Sequence, residues 1–229
     1  MKEAIILAGG LGTRLRSVVS DVPKVMAPVA GKPFLHFIIQ KLINEQVSRI
    51  ILAVGYKHEV IKEFIDGSSY NAEFIFSIEN EPLGTGGGIK LALDACTQEN
   101  VFIINGDSFF NCDLEHLMEQ HLHQNADISM ALKRMKKFER YGTVTLIENR
   151  ISAFNEKRFC EQGLINAGVY VLKSKVLNQI TLPRIFSLEK DVFEKQTSTL
   201  RILGFIYNAY FIDIGIPEDY EKSQVDFAL

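Results

Sequence analysis

Residues 4–15 read A-I-I-L-A-G-G-L-G-T-R-L, an apolar run that passes directly into a glycine-rich, basic loop. The apolar run predicts a buried strand, and the glycines predict a tight turn at its end. Further apolar runs alternate with segments of helical periodicity, at 49–54, 72–78 and 101–104 for the runs and at 34–46, 57–66 and 87–95 for the helices. This alternation indicates a parallel sheet with helices on both faces.

The second half of the chain is richer in strands. The predicted strands lie at 127–133, 142–147, 150–154, 168–172 and 200–207, and a last helix begins at Pro217. No Pro- or Ser-rich linker divides the chain. We therefore predict one α/β domain over 1–229, with a first half at 1–110 and a second half at 111–229.

Composition excludes several classes of protein. The 229 residues carry a formal net charge of −3. This charge lacks the basic excess typical of nucleic-acid-binding proteins, so we predict no nucleic-acid partner. The sequence contains no run of 18 or more apolar residues, so we predict no membrane span. The three cysteines form no C-x-x-C pair, which favours reduced thiols and a cytoplasmic protein.

The loop after the first strand has the chemistry of a phosphate site. Glycine N–H groups can approach a phosphate closely, Arg14 offers a planar fork of donors, and Lys24 offers a movable charge. Leu15 stands where the dinucleotide fingerprint G-x-G-x-x-G needs its third glycine, which argues against a nicotinamide-dependent dehydrogenase. The P-loop pattern is absent as well.

Several segments together resemble the sugar nucleotidyltransferase family. They are L-A-G-G-L-G-T-R-L at 7–15 with P-K at 23–24, E-P-L-G-T-G-G at 81–87, N-G-D at 105–107, N-A-G-V-Y at 166–170 and F-I-D-I-G at 211–215. The resemblance implies a Rossmann-like three-layer α/β/α sandwich, with a mostly parallel central sheet and a small mixed sheet added over the sugar. It also implies an enzyme that joins a nucleoside triphosphate to a sugar 1-phosphate and releases pyrophosphate.

The resemblance assigns roles by position, the first half binding nucleotide and the second half sugar. The nucleotide-binding residues would be Leu7, Ala8, Gly9, Gly10, Gly12, Thr13, Gly84 and Thr85. The catalytic residues would be Arg14, Lys24 and Asp107, and Mg²⁺ would be bound by Asp107 and Asp213. The sugar phosphate would be bound by Gly142, Glu156, Lys157, Asn166 and Gly168. Hard oxygen ligands such as carboxylates suit Mg²⁺.

The choice of base can be argued from hydrogen bonding. A carboxylate accepts from guanine N1–H and N2–H₂ together but offers no donor to uracil, thymine or cytosine. Glu79 or Glu81, in the loop predicted at 79–88, therefore favours GTP as the nucleotide.

Two segments resemble one branch of the family, which acts on D-glycero-α-D-manno-heptose 1-phosphate with GTP. They are D-V-P-K-V-M-A-P-V-A-G-K-P-F-L at 21–35 and F-N-E-K-R-F at 154–159. Alternatives are mannose 1-phosphate with GTP, and N-acetylmuramate or glucose 1-phosphate with UTP or dTTP. An inactive homologue that senses nucleotide sugars is an alternative of another class. We expect small-molecule substrates, no nucleic acid, no membrane, and a homodimer as the candidate assembly.

Overall fold

The computed structural model describes residues 1–10, 22–155 and 157–228. The strands are β1 (Lys2–Leu7), β2 (Pro28–Val29), β3 (Lys32–Pro33), β4 (Val47–Val54), β5 (Glu73–Ile78), β6 (Asn100–Asn105), β7 (Ser108–Phe110), β8 (Ile128–Phe138), β9 (Thr143–Ile147), β10 (Arg150–Asn155), β11 (Cys160–Lys173), β12 (Ile202–Tyr207) and β13 (Phe211–Asp213). The α-helices are α1 (Phe34–Asn44), α2 (His58–Asp66), α3 (Gly84–Leu93), α4 (Leu114–His123) and α5 (Pro217–Asp226). Short 3₁₀ turns lie at Lys24–Met26 and Val176–Asn178, and a π-helix at Leu188–Phe193.

One sheet of the described strands has the order β5-β4-β1-β6-β11-β8-β12-β10-β9. Its first four strands are parallel neighbours, so their carboxyl ends meet at one edge of the sheet. β11 runs antiparallel to β6 and β8, and the β9–β10 hairpin closes onto β12 and β11. The predicted parallel order holds for β5, β4, β1 and β6, and the complete sheet is mixed.

Two buried apolar layers cover the two faces of this sheet. In β1, Ala4 and Ile6 face one layer while Ile5 faces the other, as alternation along a strand requires. The first layer also holds apolar side chains of α1, α2, α4 and α5. The second holds those of α3 and of the π-helix. The predicted three-layer α/β/α class is therefore confirmed.

Helix α1 shows why the sequence builds this arrangement. Phe34, Leu35, Ile38, Ile39 and Leu42 recur at helical spacing and are all buried. One apolar stripe of this kind packs on a sheet, and the opposite face of the helix remains polar. Helices predicted at 34–46 and 57–66 are confirmed, with ends shifted by a few residues.

The loop predicted at 79–88 is wrong in its second part, because α3 begins at Gly84 rather than near residue 87. Glycine disfavours a helix by about 1 kcal/mol per residue. Here a Cβ at Gly86 would overlap the buried ring of Phe186, and one at Gly87 would lie 2.8 Å from Leu83 Cβ. Close packing against the second half of the chain thus overrides local propensity.

The predicted small mixed sheet is continuous with the main sheet. It consists of the far parts of β8 and β11 together with β9 and β10. The nine-stranded sheet contains strands from both predicted halves of the chain, 1–110 and 111–229. Among the described helices, none combines the length and apolar character that crossing a membrane requires.

Candidate active site

An ammonium group and two carboxylates meet at the carboxyl edge of the parallel strands. Lys24 Nζ lies 2.7 Å from Asp107 Oδ2 and 3.7 Å from Asp213 Oδ1. We call these three residues the Lys24 centre. Lys24 begins a 3₁₀ turn, and Asp107 follows Gly106 at the end of β6.

Strand pairing, rather than closeness in sequence, brings the two aspartates together. β13 pairs antiparallel with β7 and sets Asp213 opposite Ser108, the residue after Asp107. The Ile214 N–H also donates to the Asp107 carbonyl at 3.0 Å. The predicted association of Asp107 and Asp213 is therefore a feature of this structure.

The electrostatics of the centre are set by burial and by like charge. Burial raises the pKa of Asp213, and the neighbouring Asp107 carboxylate raises it further. Lys24 and the Gly215 N–H, which donates to Asp213 Oδ1 at 2.7 Å, act in the opposite direction. The three residues carry a formal charge of −1, and the nearby Arg140 guanidinium also lowers the pKa of Asp213.

The two carboxylates of the Lys24 centre suit a divalent cation that takes some of its ligands from the protein and the rest from a substrate. In the part of the chain that the structure describes, no cluster of three or more His, Cys, Asp or Glu side chains could hold a metal ion by itself. Two carboxylates suit Mg²⁺, which usually takes one or two protein carboxylates and completes its shell with phosphate oxygens and water. Asp107 and Asp213 would be the protein's contribution.

Of the residues predicted to bind the nucleotide, Leu7–Gly10 lie at the end of β1 and Glu79 follows β5. Ala8 N–H donates to the Ala53 carbonyl at 2.8 Å, which keeps the chain beside β4 as it leaves β1. Glu79 follows β5 and accepts from the Leu83 N–H at 2.8 Å through Oε2. Its Oε1 would lie 3.3 Å from a Cβ on Gly9. Glu79 therefore reaches the segment containing Leu7, Ala8, Gly9 and Gly10.

Glu81 and Thr85 make different contacts. Glu81 is exposed and forms an ion pair with Arg184. Thr85 Oγ1 accepts from the Leu188 N–H and donates to Glu189 Oε2, each at 2.9 Å. Among the described residues, Glu79 is the one of these two glutamates that lies against Gly9, while Glu81 pairs with Arg184.

The Asn166–Gly168 segment, predicted to bind the sugar phosphate, lies next to the end of β6. Val169 of β11 pairs with Ile104 of β6. Between Asn166 and Tyr170, β11 advances four residues while β8 advances two, from Leu132 to Met130, which makes a bulge. Gly168 sits in this bulge with φ +76, and its N–H donates to Asn166 Oδ1 at 3.0 Å.

Gly142 and Lys157 flank the β9–β10 hairpin. A Cβ on Gly142 would lie 2.6 Å from the Asn155 carbonyl oxygen, and Lys157 is exposed. Tyr141 precedes Gly142, and its ring centroid lies 5.9 Å from that of Phe211 on β13. Because β13 also carries Asp213, this contact connects the hairpin to the Lys24 centre. Four predicted site residues, Gly12, Thr13, Arg14 and Glu156, lie outside the described residues.

Sequence reasoning missed three residues that the structure brings to this region. Tyr141 stands next to Gly142, where no sequence signal marked it. Asn105 and Tyr170 stand inside the N-G-D and N-A-G-V-Y segments, so their motif positions could have drawn attention to them.

The comparisons agree with the geometry. The nucleotidyl transferase family profile matches residues 3–228, and the chain belongs to that family. A D-glycero-alpha-D-manno-heptose 1-phosphate guanylyltransferase from Aneurinibacillus thermoaerophilus is 50% identical over 222 residues, which are 97% of this chain and 96% of that protein. One of the same name from Campylobacter jejuni subsp. jejuni serotype O:2 is 45% identical over 219 residues, covering 95% and 96%.

A solved structure supports the same relationship. The crystal structure of HddC from Yersinia pseudotuberculosis complexed with GMP-PN superposes with a TM-score of 0.89 at 38% identity. The match covers 99% of this chain and 100% of that one. The family predicted from sequence motifs is therefore confirmed.

Proposed function

We propose that this chain is an enzyme that joins GTP to D-glycero-α-D-manno-heptose 1-phosphate, giving the GDP-linked heptose and pyrophosphate. The observation that carries the proposal is the Lys24 centre. It lies at the sheet edge where Gly9 and Gly10 follow β1 and where the Asn166–Gly168 bulge adjoins the end of β6. The two relatives named for this activity support the choice of substrate at 50% and 45% identity.

The reaction is a displacement at phosphorus. An oxygen of the sugar 1-phosphate attacks the α-phosphorus of GTP, a new P–O bond forms, and the bond to the pyrophosphate oxygen breaks. Lys24 would stabilise negative charge on the phosphates, and Asp107 and Asp213 would hold Mg²⁺. A Mg²⁺ ion held by these two carboxylates would supply positive charge to the phosphate oxygens of GTP. The chain itself supplies positioning and charge rather than a covalent intermediate.

Guanine selection would rest on Glu79. Its Oε2 already accepts one hydrogen bond from Leu83, but each carboxylate oxygen has two lone pairs and can accept again. Its approach to Gly9, which the resemblance assigns to the nucleotide, supports this role. HddC was crystallised with GMP-PN, which supports a guanine nucleotide for this chain as well.

Pyrophosphate release across a matrix of substrates tests the proposal. GTP, UTP and dTTP would each be paired with D-glycero-α-D-manno-heptose 1-phosphate and with mannose 1-phosphate. We expect the GTP–heptose pair to have the highest kcat/KM. A clear preference for UTP or dTTP would contradict the guanine assignment, and a preference for mannose 1-phosphate would contradict the sugar.

Substitutions within the centre test its role. Asp107→Ala and Lys24→Ala should each lower kcat/KM by about 10²-fold or more. The matched control is the surface pair Lys62 and Asp66, whose charged atoms lie 2.6 Å apart on α2. Lys62→Ala and Asp66→Ala should leave kcat/KM within about twofold, since exposed pairs contribute little.

A further inference from the structure

Helix α3 contains four glycines, and packing against the second half of the chain accounts for three of them. A Cβ at Gly84 would lie 2.5 Å from the Phe186 carbonyl oxygen, and one at Gly86 would overlap the Phe186 ring. A Cβ at Gly87 would lie 3.0 Å from the Arg184 carbonyl oxygen. Contacts this short with backbone or with a buried ring leave no room for a methyl group. Gly88, the fourth glycine, needs a separate explanation.

Gly88 faces the carboxylate of Glu79. A Cβ at this position would overlap Glu79 Oε1 and would lie 3.3 Å from Glu79 Cδ. Apart from α3 itself, no other heavy atom of the described residues lies within 4 Å of that Cβ position. The space left by the missing side chain is therefore filled by one group, the carboxylate to which we assign guanine selection.

The backbone of α3 does not require glycine at this position. Gly88 is buried inside the helix, and its φ lies outside the left-handed region that Gly84 occupies with φ +75. Alanine is more favourable than glycine inside a helix. Local propensity therefore favours alanine at position 88, and the group that opposes it is the Glu79 carboxylate.

Two further contacts define where this carboxylate lies. Glu79 Oε2 accepts from the Leu83 N–H at 2.8 Å. Glu79 Oε1 would lie 3.3 Å from a Cβ on Gly9, so this oxygen occupies a slot between Gly9 and Gly88. The carboxylate is the free end of a flexible side chain, whereas α3 is packed on the sheet. A methyl group on Gly88 would therefore displace the carboxylate rather than the helix.

We propose that Gly88 is a positioning residue for Glu79 and thereby sets the preference of the site for GTP. The absent Cβ lets Glu79 Oε1 lie against α3, and this location determines whether the carboxylate can accept from guanine N1–H and N2–H₂ together. A displacement of about 1 Å is enough to lose such hydrogen bonds, which depend steeply on distance and angle. The inference rests on the proposed function and deepens it, because it names a residue that acts on base selection through Glu79.

Gly88→Ala is the direct test. We expect the ratio of kcat/KM for GTP to that for UTP to fall about fivefold or more, because the displaced carboxylate no longer meets guanine correctly. The KM for heptose 1-phosphate should change less than about twofold, since the change concerns the base alone. The midpoint of urea unfolding should stay equal to that of the wild type or rise, because alanine suits the helix. An unchanged GTP-to-UTP ratio would overturn the inference.

The stability measurement separates positioning from packing. A clearly lower unfolding midpoint in Gly88→Ala would show that the methyl group meets more than a movable carboxylate, and the inference would be wrong. The matched control is Gly67→Ala at the end of α2, where the added Cβ would lie 3.3 Å from the Glu63 carbonyl oxygen. This variant should leave the GTP-to-UTP ratio unchanged.

A double-mutant cycle tests whether Gly88 acts through Glu79. In a Glu79→Gln background, where the carboxylate is already lost, adding Gly88→Ala should change the GTP-to-UTP ratio less than about twofold. If Gly88→Ala lowers this ratio equally with and without Glu79→Gln, the two residues act independently and the inference is wrong.

The two levels of proposal fail differently. A wild type that prefers UTP, or a Glu79→Gln variant with an unchanged GTP-to-UTP ratio, would overturn the assignment of guanine selection to Glu79 and this inference with it. A Glu79→Gln variant with a reduced ratio beside a Gly88→Ala variant with the wild-type ratio would overturn the inference alone.

Discussion

Two glycines in the left-handed region allow the steric demand of the β11 bulge to be measured. Gly168 has φ +76 and Gly31 has φ +78, so alanine at either position incurs the same backbone penalty. For an L residue in this region the penalty is about 1–2 kcal/mol. A Cβ at Gly31 meets open space, whereas one at Gly168 would lie 2.7 Å from Ser108 Oγ and 2.9 Å from Asn105 Cβ.

The magnitudes follow from this difference. Gly31→Ala should lower the free energy of unfolding by about 1–2 kcal/mol, from backbone conformation alone. Gly168→Ala adds overpacking of about 1–3 kcal/mol, for a total loss of about 2–5 kcal/mol. Because Gly168 belongs to the segment predicted to bind the sugar 1-phosphate, the KM for that substrate should also rise in this variant only.

Urea unfolding followed by circular dichroism measures the stabilities, and pyrophosphate release measures KM. Equal losses of stability in the two variants would refute the reasoning, because they would show that Ser108 and Asn105 yield without cost. A sugar-phosphate KM that rises equally in Gly31→Ala would refute the link between the bulge and the substrate.

Three further predictions concern charge and burial. Burial lowers the pKa of His121 from 6.5 to about 4. The free energy of unfolding of the wild type should therefore fall by about 3 kcal/mol as the pH drops from 6.5 to 4. His121→Gln should abolish this pH dependence in urea titrations. Glu79→Gln should reduce the ratio of kcat/KM for GTP to that for UTP by about tenfold. Glu81→Gln breaks a surface ion pair with Arg184 and should leave this ratio unchanged. Equal effects of the two substitutions would contradict the assignment of guanine selection to Glu79. Glu3→Gln should destabilise the fold by about 3 kcal/mol in thermal unfolding at pH 7. The fully buried Glu3 carboxylate accepts hydrogen bonds from Arg49, Thr97 and Gln98, and the amide lacks its charge and has one acceptor oxygen fewer, although Arg49 keeps its pair with the exposed Glu73. A loss under about 1 kcal/mol would contradict this.

Much of the fold could be predicted from sequence because its central strands are continuous apolar runs. The runs at β1, β4 and β6 are buried on both faces, which leaves no polar alternation to confuse their assignment. The glycine motifs at the strand ends and the N-G-D segment then pointed to one edge of the sheet. The structure has Lys24 and Asp107 at that edge.

Other features depend on contacts between segments distant in the chain, which local patterns do not encode. The three-residue strands β7 and β13 are too short for any periodicity, yet their pairing sets Asp213 beside Asp107. The glycines of α3 argue against a helix until Phe186 is packed on them. The roles predicted for Gly142, Lys157 and the remaining site residues stay predictions until they are measured.

The bulge in β11 has a consequence for how the chain can change. β11 contains two residues more than β8 across this interval, and two is an even number. Side chains alternate with a period of two, so every residue beyond the irregularity keeps the face it would have had without it. A single inserted residue would exchange the inward and outward positions of half a strand. Insertion or deletion of two residues at this bulge would therefore leave the apolar layers beneath it in phase.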